Sequence, residues 1–309
     1  MDFSRKQLTA GIIGNVLEWY DFAVYAFFSP IISQVFFPDN VQSVAIIKTF
    51  LVFSIGFLVR PIGGFIFGHI GDKHGRKKAF QISIFMMGIP TVLIGLLPAY
   101  RHVGFLSPTL LVCLRLLQGI SAGGELTSST TYVFEISPSK NKNFWCSFVT
   151  FSSILGVFSG SLMATLLKFM IKDPFLSWRI AFFFGIILVI WGIYLRMNTK
   201  ESNVFLEEKN GQNLKSIPAL YLIKNYSLSV LKVISLNVFV SIAFYTLFVW
   251  MPTYIEVFLK KTSEVVLSIN TLVMFVLILL IPLFGFFSER IGIKKIAIFG
   301  VVSYGGPFF

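Results

Sequence analysis

The chain has 309 residues, of which 55% are hydrophobic and only 13% charged, with a mean hydropathy of +0.80. Such values lie outside the range of a water-soluble domain and describe a chain built for lipid. The net charge of +12 is scattered through short segments between apolar runs, which excludes a nucleic-acid footprint, and Cys113 and Cys146 fall at or within apolar runs without metal-ligand spacing.

A spanning helix needs about 20 mostly apolar residues. In chain order the qualifying runs are 9–36, 45–70, 79–99, 107–134, 145–170, 177–196, 229–257 and 265–287, and a ninth opens at Ile296 and is cut off by the end of the chain. No charged leader, short apolar core and small-residue cleavage site precede a hydrophilic chain, so the first span is expected to stay. Pro30, Pro61, Pro90, Pro252 and Pro282 punctuate the spans without vetoing helices, because neighbouring helices satisfy the freed carbonyls.

The polar stretch 198–228 separates a six-span half, 1–197, from an incomplete second half, 229–309. An internal repeat supports that division. Gly71-Asp72-Lys73-His74-Gly75-Arg76-Lys77-Lys78 closes the second span, and Ser288-Glu289-Arg290-Ile291-Gly292-Ile293-Lys294-Lys295 closes the eighth, aligning acid, base, glycine and paired lysines. Repeats of six spans related along the membrane normal are a transporter architecture. Both loops read as gating elements, through Asp72, Lys73, Gly75, Arg76, Glu289 and Arg290.

Cytoplasmic loops collect Lys and Arg. With the N-terminus inside, of the 26 basic residues only Lys48, Arg101, Lys168, Lys172, Arg179, Lys260 and Lys261 fall outside; Arg60 and Arg115 lie within spans and Arg196 counts with the inner loops.

Charged groups at bilayer depth cost about 2.5–3.5 kcal/mol each, so they face a bundle interior or a watery cavity. In the first span Asn15, Glu18, Asp21, Phe22 and Tyr25 share an arc of about 120°. Each carboxylate there can carry a proton, or can pair with an arginine to hold helices together. Arg60 is the candidate partner in the second span, on a ridge of Gly56, Arg60, Gly64 and Gly68 that lets helices approach closely, and its fork suits a carboxylate. The fourth span repeats the pattern, with Arg115, Gln118, Ala122 and Glu125 on one face beside Gly119 and Gly123. Trp19, Tyr25, Tyr245 and Trp250 are belt or packing residues, or contacts for a quaternary ammonium through cation–π attraction. The three histidines are scattered and read as ordinary. No nucleophile, base and orienting group converge, so an enzyme is not expected, and paired halves with gate loops suit alternating access better than a channel.

These residues resemble a family. Gly68-x-x-x-Asp72-Lys73-x-Gly75-Arg76-Lys77-Lys78 looks like the signature loop of the major facilitator superfamily, and Arg115-x-x-Gln118-Gly119 its fourth-helix motif. More narrowly, "GNVLEWYDFAVY", "FLVRPIGGFIFGHIGDKHGRKKA", "LLQGISAGGE", "FEISPSKNK", "WRIAFFFG" and "FVWMPTYI" resemble the metabolite:H⁺ symporters, especially proline/betaine transporters and next α-ketoglutarate permeases. The resemblance implies an all-α membrane fold and proton-coupled uptake of a small zwitterionic or anionic metabolite or osmolyte across a bacterial inner membrane. It implies no cofactor beyond protons as coupling ion; oligomeric state stays open.

In the family the carboxylate matching Asp72 stabilises the outward-facing state, and residues matching Arg60, Arg115 and Glu125 line or brace the cavity. Three departures stand out. Ile293 replaces the basic residue matching Arg76, the fifth span has Gly156 and Gly160 without the Gly-Pro pairing of antiporters, and the family's twelve spans exceed those present. An inactive, truncated fragment is therefore the alternative expectation, with an α-ketoglutarate-type permease as another.

The basic-residue asymmetry predicts that a fluorescent reporter inserted near Lys209 is active inside the cell. A secreted-phosphatase reporter inserted near Lys172 should be active outside, and the reverse pattern would invert the topology.

Overall fold

A computed structural model describes residues 5–197 and 225–305, with the side chains of residues 5, 6, 72, 76 and 301–305 excepted. The first span is two helices, α1 (Arg5–Phe27) and α2 (Ser29–Phe36), broken at Phe28 because Pro30 sits in the first turn of α2 and donates no hydrogen bond. The second divides in the same way into α3 (Gln42–Leu58) and α4 (Arg60–His74), with Pro61 in the first turn of α4. Between the two spans Asp39 accepts from Lys48 Nζ at 2.8 Å and from the Val41 amide at 3.1 Å, which holds its carboxyl below the ordinary range.

The half continues with α5 (Arg76–Leu96), the short α6 (Tyr100–Val103), α7 (Leu106–Ile136), α8 (Lys142–Met170) and α9 (Pro174–Met197). Beyond residues 198–224, which hold most of the expected central loop, come α10 (Ser227–Phe244), a π-helical stretch Tyr245–Trp250 leading to Pro252, and α11 (Met251–Val257). Then follow α12 (Ser263–Ile291) and α13 (Ile293–Gly305). Seven helical runs among the described residues are long and apolar enough to cross a membrane. With Asn15, Glu18 and Asp21 in its middle, α1 falls short of that apolarity.

Instead, α1 is the axis of the first half. It packs against α8, α9, α7 and α5, and from Ile13 to Pro30 its side chains are buried except for a partly open Trp19. Leu51, Leu58, Phe65, Ile187 and Ile190 on the surrounding helices point outward as an apolar surface suited to lipid.

Glycine makes the close crossings. A methyl group on Gly123 would lie 2.0 Å from the Arg60 carbonyl oxygen, one on Gly119 2.2 Å from that of Gly56, and one on Gly63 1.9 Å from that of Ile120. Of the expected ridge, Gly56 and Gly64 approach α7, where a methyl group would lie 3.6 Å from the Arg115 carbonyl oxygen and 3.5 Å from that of Gly123, whereas Gly68 has open space and Gly63, off the ridge, makes the tighter crossing. The repeat is visible in the backbone. Gly75 between α4 and α5 has φ +98° and ψ 154°, and Gly292 between α12 and α13 has φ +98° and ψ 136°, a region essentially reserved for glycine.

The halves meet chiefly along α8 and α12. Midway, Ser161 Oγ lies 2.6 Å from Thr271 Oγ1, Thr165 Oγ1 lies 3.2 Å from the same oxygen, and Asn270 Nδ2 donates to Ser161 Oγ at 3.4 Å.

Gly123→Ala should lower stability in detergent by about 1–3 kcal/mol through overpacking. Gly68→Ala should stay within about 0.5 kcal/mol, as for ordinary surface changes. Equal thermal unfolding midpoints for the two would contradict the close crossing.

Candidate functional site

Three buried ion pairs lie along α1. Asp21 points to α7, where Arg115 Nη1 donates to Asp21 Oδ2 at 2.5 Å with both side chains fully shielded. One turn away Glu18 Oε1 faces Arg60 Nη2 of α4 at 2.8 Å, and Arg60 keeps 17% of its side chain exposed. One turn further, Gly14 lies against a third pair, Glu125 of α7 with Arg196 of α9, and a methyl group at Gly14 would collide with both. The rise per residue places Gly14 and Asp21 only about 10 Å apart.

The pairs differ in how completely they are bonded. Arg196 forks onto Glu125, with Nη1 donating to Oε2 at 3.0 Å and Nη2 to Oε1, and Nη1 also reaches the Phe80 carbonyl at 2.9 Å. Ser83 Oγ donates to Glu125 Oε2 at 2.8 Å, and Ser129 Oγ lies 3.3 Å from Oε1. Glu18 has no such shell. Arg60 Nη2 approaches it outside hydrogen-bonding alignment, so both carboxylate oxygens, Arg60 Nε and Nη2 and the neighbouring Trp19 Nε1 are buried without a hydrogen-bond partner. Asp21 Oδ1 and Arg115 Nε and Nη2 are likewise unpartnered. Since buried polar groups are normally hydrogen-bonded, these groups are among those in the bundle with capacity left for a ligand or water.

Aromatic rings surround the first two pairs. The Arg60 guanidinium lies 4.2 Å from the Phe57 ring centroid, 4.9 Å from Phe22 and 5.6 Å from Trp19, and that of Arg115 lies 4.1 Å from Tyr25. Trp19 and Tyr245 stack at 6.2 Å, bringing the second half against Glu18 and Arg60, and Phe57 meets Tyr245 edge-on at 5.2 Å.

The sequence-predicted residues therefore separate. Glu18, Arg60, Trp19 and Tyr245 come together; Asp21, Arg115 and Tyr25 form a sealed neighbour, with the Tyr25 hydroxyl donating to the Thr49 carbonyl at 3.0 Å. Gln118 donates to Thr91 Oγ1 at 3.0 Å, and Asn15 donates to Ser152 Oγ at 3.4 Å, tying α1 to α8. Trp250 lies against Phe50 and Phe258. Arg115 and Glu125 share a face without pairing with each other. Glu125's partner is Arg196, which sequence reasoning assigned to a loop; being in the last turn of α9, its long side chain turns back into the bundle. A base one residue inside the end of an apolar run was the available signal. Nothing in the sequence pointed to Ser83 or Ser129.

In the gate loops, Lys73 is exposed, and Asp72 and Arg76 are described by backbone alone. Glu289 Oε1 accepts from the amides of Asn143 and Phe144 at 2.5 and 3.2 Å, capping the N-terminus of α8 from the other half, and Arg290 lies over Phe286. At the far end of α8, Lys168 bonds Glu256 at 3.4 Å and also Ser263.

A comparison with known families fits this arrangement. The pattern of the sugar (and other) transporter family matches residues 7–217. The chain belongs to this major facilitator family. It is 35% identical over 311 residues to the glycine betaine/proline/ectoine/pipecolic acid transporter OusA of Dickeya dadantii, and 34% identical over 311 residues to the proline/betaine transporter of Salmonella typhimurium. Each alignment takes in 97% of this chain and 62% of the relative, so the chain spans less than two thirds of these transporters. A crystal structure of a D-xylose–proton symporter shares the major facilitator fold, with TM-score 0.69 and 19% identity over 90% of this chain and 67% of that one.

Removing one partner of a well-bonded buried pair costs about 3–5 kcal/mol, whereas replacing both by apolar groups is often neutral. Arg196→Met should therefore be strongly destabilised in a denaturation series, and Arg196→Met combined with Glu125→Leu should recover most of the loss. Simple additivity would show the pair to be uncoupled.

Proposed function

We propose that this transporter-family chain carries a small zwitterionic metabolite or osmolyte of the proline and betaine kind, together with protons, by alternating access. The observation that supports this most directly is the under-bonded Glu18–Arg60 pair beside Trp19, Phe57 and Tyr245. A guanidinium fork and an indole N–H suit a carboxylate, while Glu18 and the aromatic faces suit a substituted ammonium at the other end of the same small molecule. A dicarboxylate fits less well, since its second carboxylate would meet Glu18.

Proton coupling rests on the neighbouring Asp21–Arg115 pair. Protonating Asp21 cancels its charge and releases Arg115, so a proton and the packing of α1 on α7 depend on each other. Alternating access is supported by the capping of α8 by Glu289 at one end and the Lys168–Glu256 pair at the other. Asn143 and Lys168 are about 38 Å apart along the helix, more than the roughly 30 Å hydrocarbon core. The two contacts thus suit gates on opposite faces. With the bacterial relatives and the basic-residue asymmetry, the reading places the protein in a bacterial inner membrane with its N-terminus inside.

Liposomes holding this chain and an inward proton gradient should accumulate labelled proline or betaine uphill, in preference to α-ketoglutarate, and a protonophore should abolish the accumulation. Asp21→Asn should reduce pH-driven accumulation by at least about tenfold, a loss of roughly 1.4 kcal/mol of driving interaction. Uptake indifferent to the protonophore would refute proton coupling, and no uptake by folded protein would refute the transport reading.

A further inference from the structure

A small internal cavity is lined by both Glu18 and Glu125, with the hydroxyl-bearing Ser83 and Ser121 and the apolar Ile84 and Met87. Its free space is at the lower limit for one water molecule, and Glu18, Glu125, Ser83 and Ser121 supply the polar part of its lining. Both Glu18 oxygens lack a hydrogen-bond partner. Ser83 Oγ already donates to Glu125 Oε2 at 2.8 Å, and Ser121 Oγ donates to the Ser83 carbonyl at 2.6 Å.

We propose that Glu125, held by Arg196, is a second proton-binding station that exchanges protons with Glu18 through a single bridging water. The relay leads from the under-bonded pair toward the end of the bundle where α9 stops. Protonated Glu18 gives its proton to the water as the water gives one of its own to the Glu125 carboxylate. Glu18 is left as a carboxylate beside Arg60, Glu125 becomes a neutral acid beside Arg196, and total charge is unchanged. Ser129, one turn along α7 toward that end, is the next hydroxyl.

Among the described residues, the charged groups facing Glu125 are Arg196 from α9 and Glu18 from α1. From α5 come Ser83 and the Phe80 carbonyl, which shares Arg196, and from α4 Phe67 packs on the adjacent Gly124. The one basic residue of α3, Lys48, is bound to Asp39, and α8 has no acid or base between Cys146 and Lys168. Arg196 is thus the counter-charge bonded to Glu125. The direction in which the relay is used rests on the transport reading above; proton exchange itself is a property of the resting protein.

The test is infrared difference spectroscopy of the purified full chain in lipid after a step from alkaline to acidic buffer, following the protonated-carboxyl C=O stretch. Glu125→Gln should remove one component of that band. Ser121→Val, which fills the cavity without touching a charge, should keep the component and slow its appearance by about tenfold or more, the scale of a lost positioned proton-transfer partner. Should Glu125→Gln fail to fold, Glu125→Asp should shift the same component. No Glu125-dependent component, or one whose rate ignores Ser121→Val, overturns the relay. In liposomes Ser121→Val should cut pH-driven accumulation about tenfold while leaving substrate exchange within about twofold; equal losses in both would assign the cavity a structural role and also overturn the proposal. Absence of uptake by the unaltered chain would count against transport alone, with the infrared rates still deciding the relay.

Discussion

The first half of this protein is organised by the cost of keeping three carboxylates away from water along one helix. Glu18 and Asp21 belong to α1, and Glu125 touches it at Gly14. No single neighbour supplies their counter-charges: Arg60 comes from α4, Arg115 from α7 and Arg196 from α9. Electrostatic need therefore ties the axial helix to α4 and α7, and α7 in turn to α9 beside Gly14, where apolar packing between helices in lipid has little hydrophobic driving force of its own. The same need explains why α1 from Ile13 onward is buried apart from a partly open Trp19, although it falls short of the apolarity of the seven membrane-crossing runs.

Shape follows from charge. An arginine on a span can reach a buried acid only if the backbones are close, and at the α3–α7 and α4–α7 crossings glycine faces a carbonyl at Gly119, Gly123 and Gly63. Because Arg60 lends its carbonyl to the crossing at Gly123 and its guanidinium to Glu18, packing and electrostatics share one residue. The pairs are graded in how far they are bonded, from Glu125–Arg196, which has several partners, to Glu18–Arg60, whose carboxylate oxygens have none.

Much of this was legible in the sequence, for identifiable reasons. Long apolar runs permit little besides spanning helices, and the polar residues Asn15, Glu18 and Asp21, spaced by three in "GNVLEWYDF", share a face. The repeat around Gly75 and Gly292 was readable as letters and returned as matching backbone angles. What the sequence concealed was partnership. Helical spacing says which residues share a face but not which helix answers it, so Arg115 and Glu125 looked like mates and Arg196 like a loop residue. The ridge held at Gly56 and Gly64 but not at Gly68, which has open space, because spacing along one helix does not say where its neighbour crosses. Hydroxyls such as Ser83 and Ser129 are too common in spans to stand out before their neighbours are known.

The seam between α8 and α12 has a mechanical consequence. Interlocked leucines resist shear because every knob must climb out of its hole, but here the middle of the contact is a run of short hydroxyl and amide groups, Ser161, Thr165, Asn270 and Thr271. Thr271 already stands within reach of two hydroxyls. A slip of an ångström or two there trades one hydroxyl partner for the other, so resistance to sliding along this seam falls to the apolar residues on either side, among them Leu267, Met274 and Ile278.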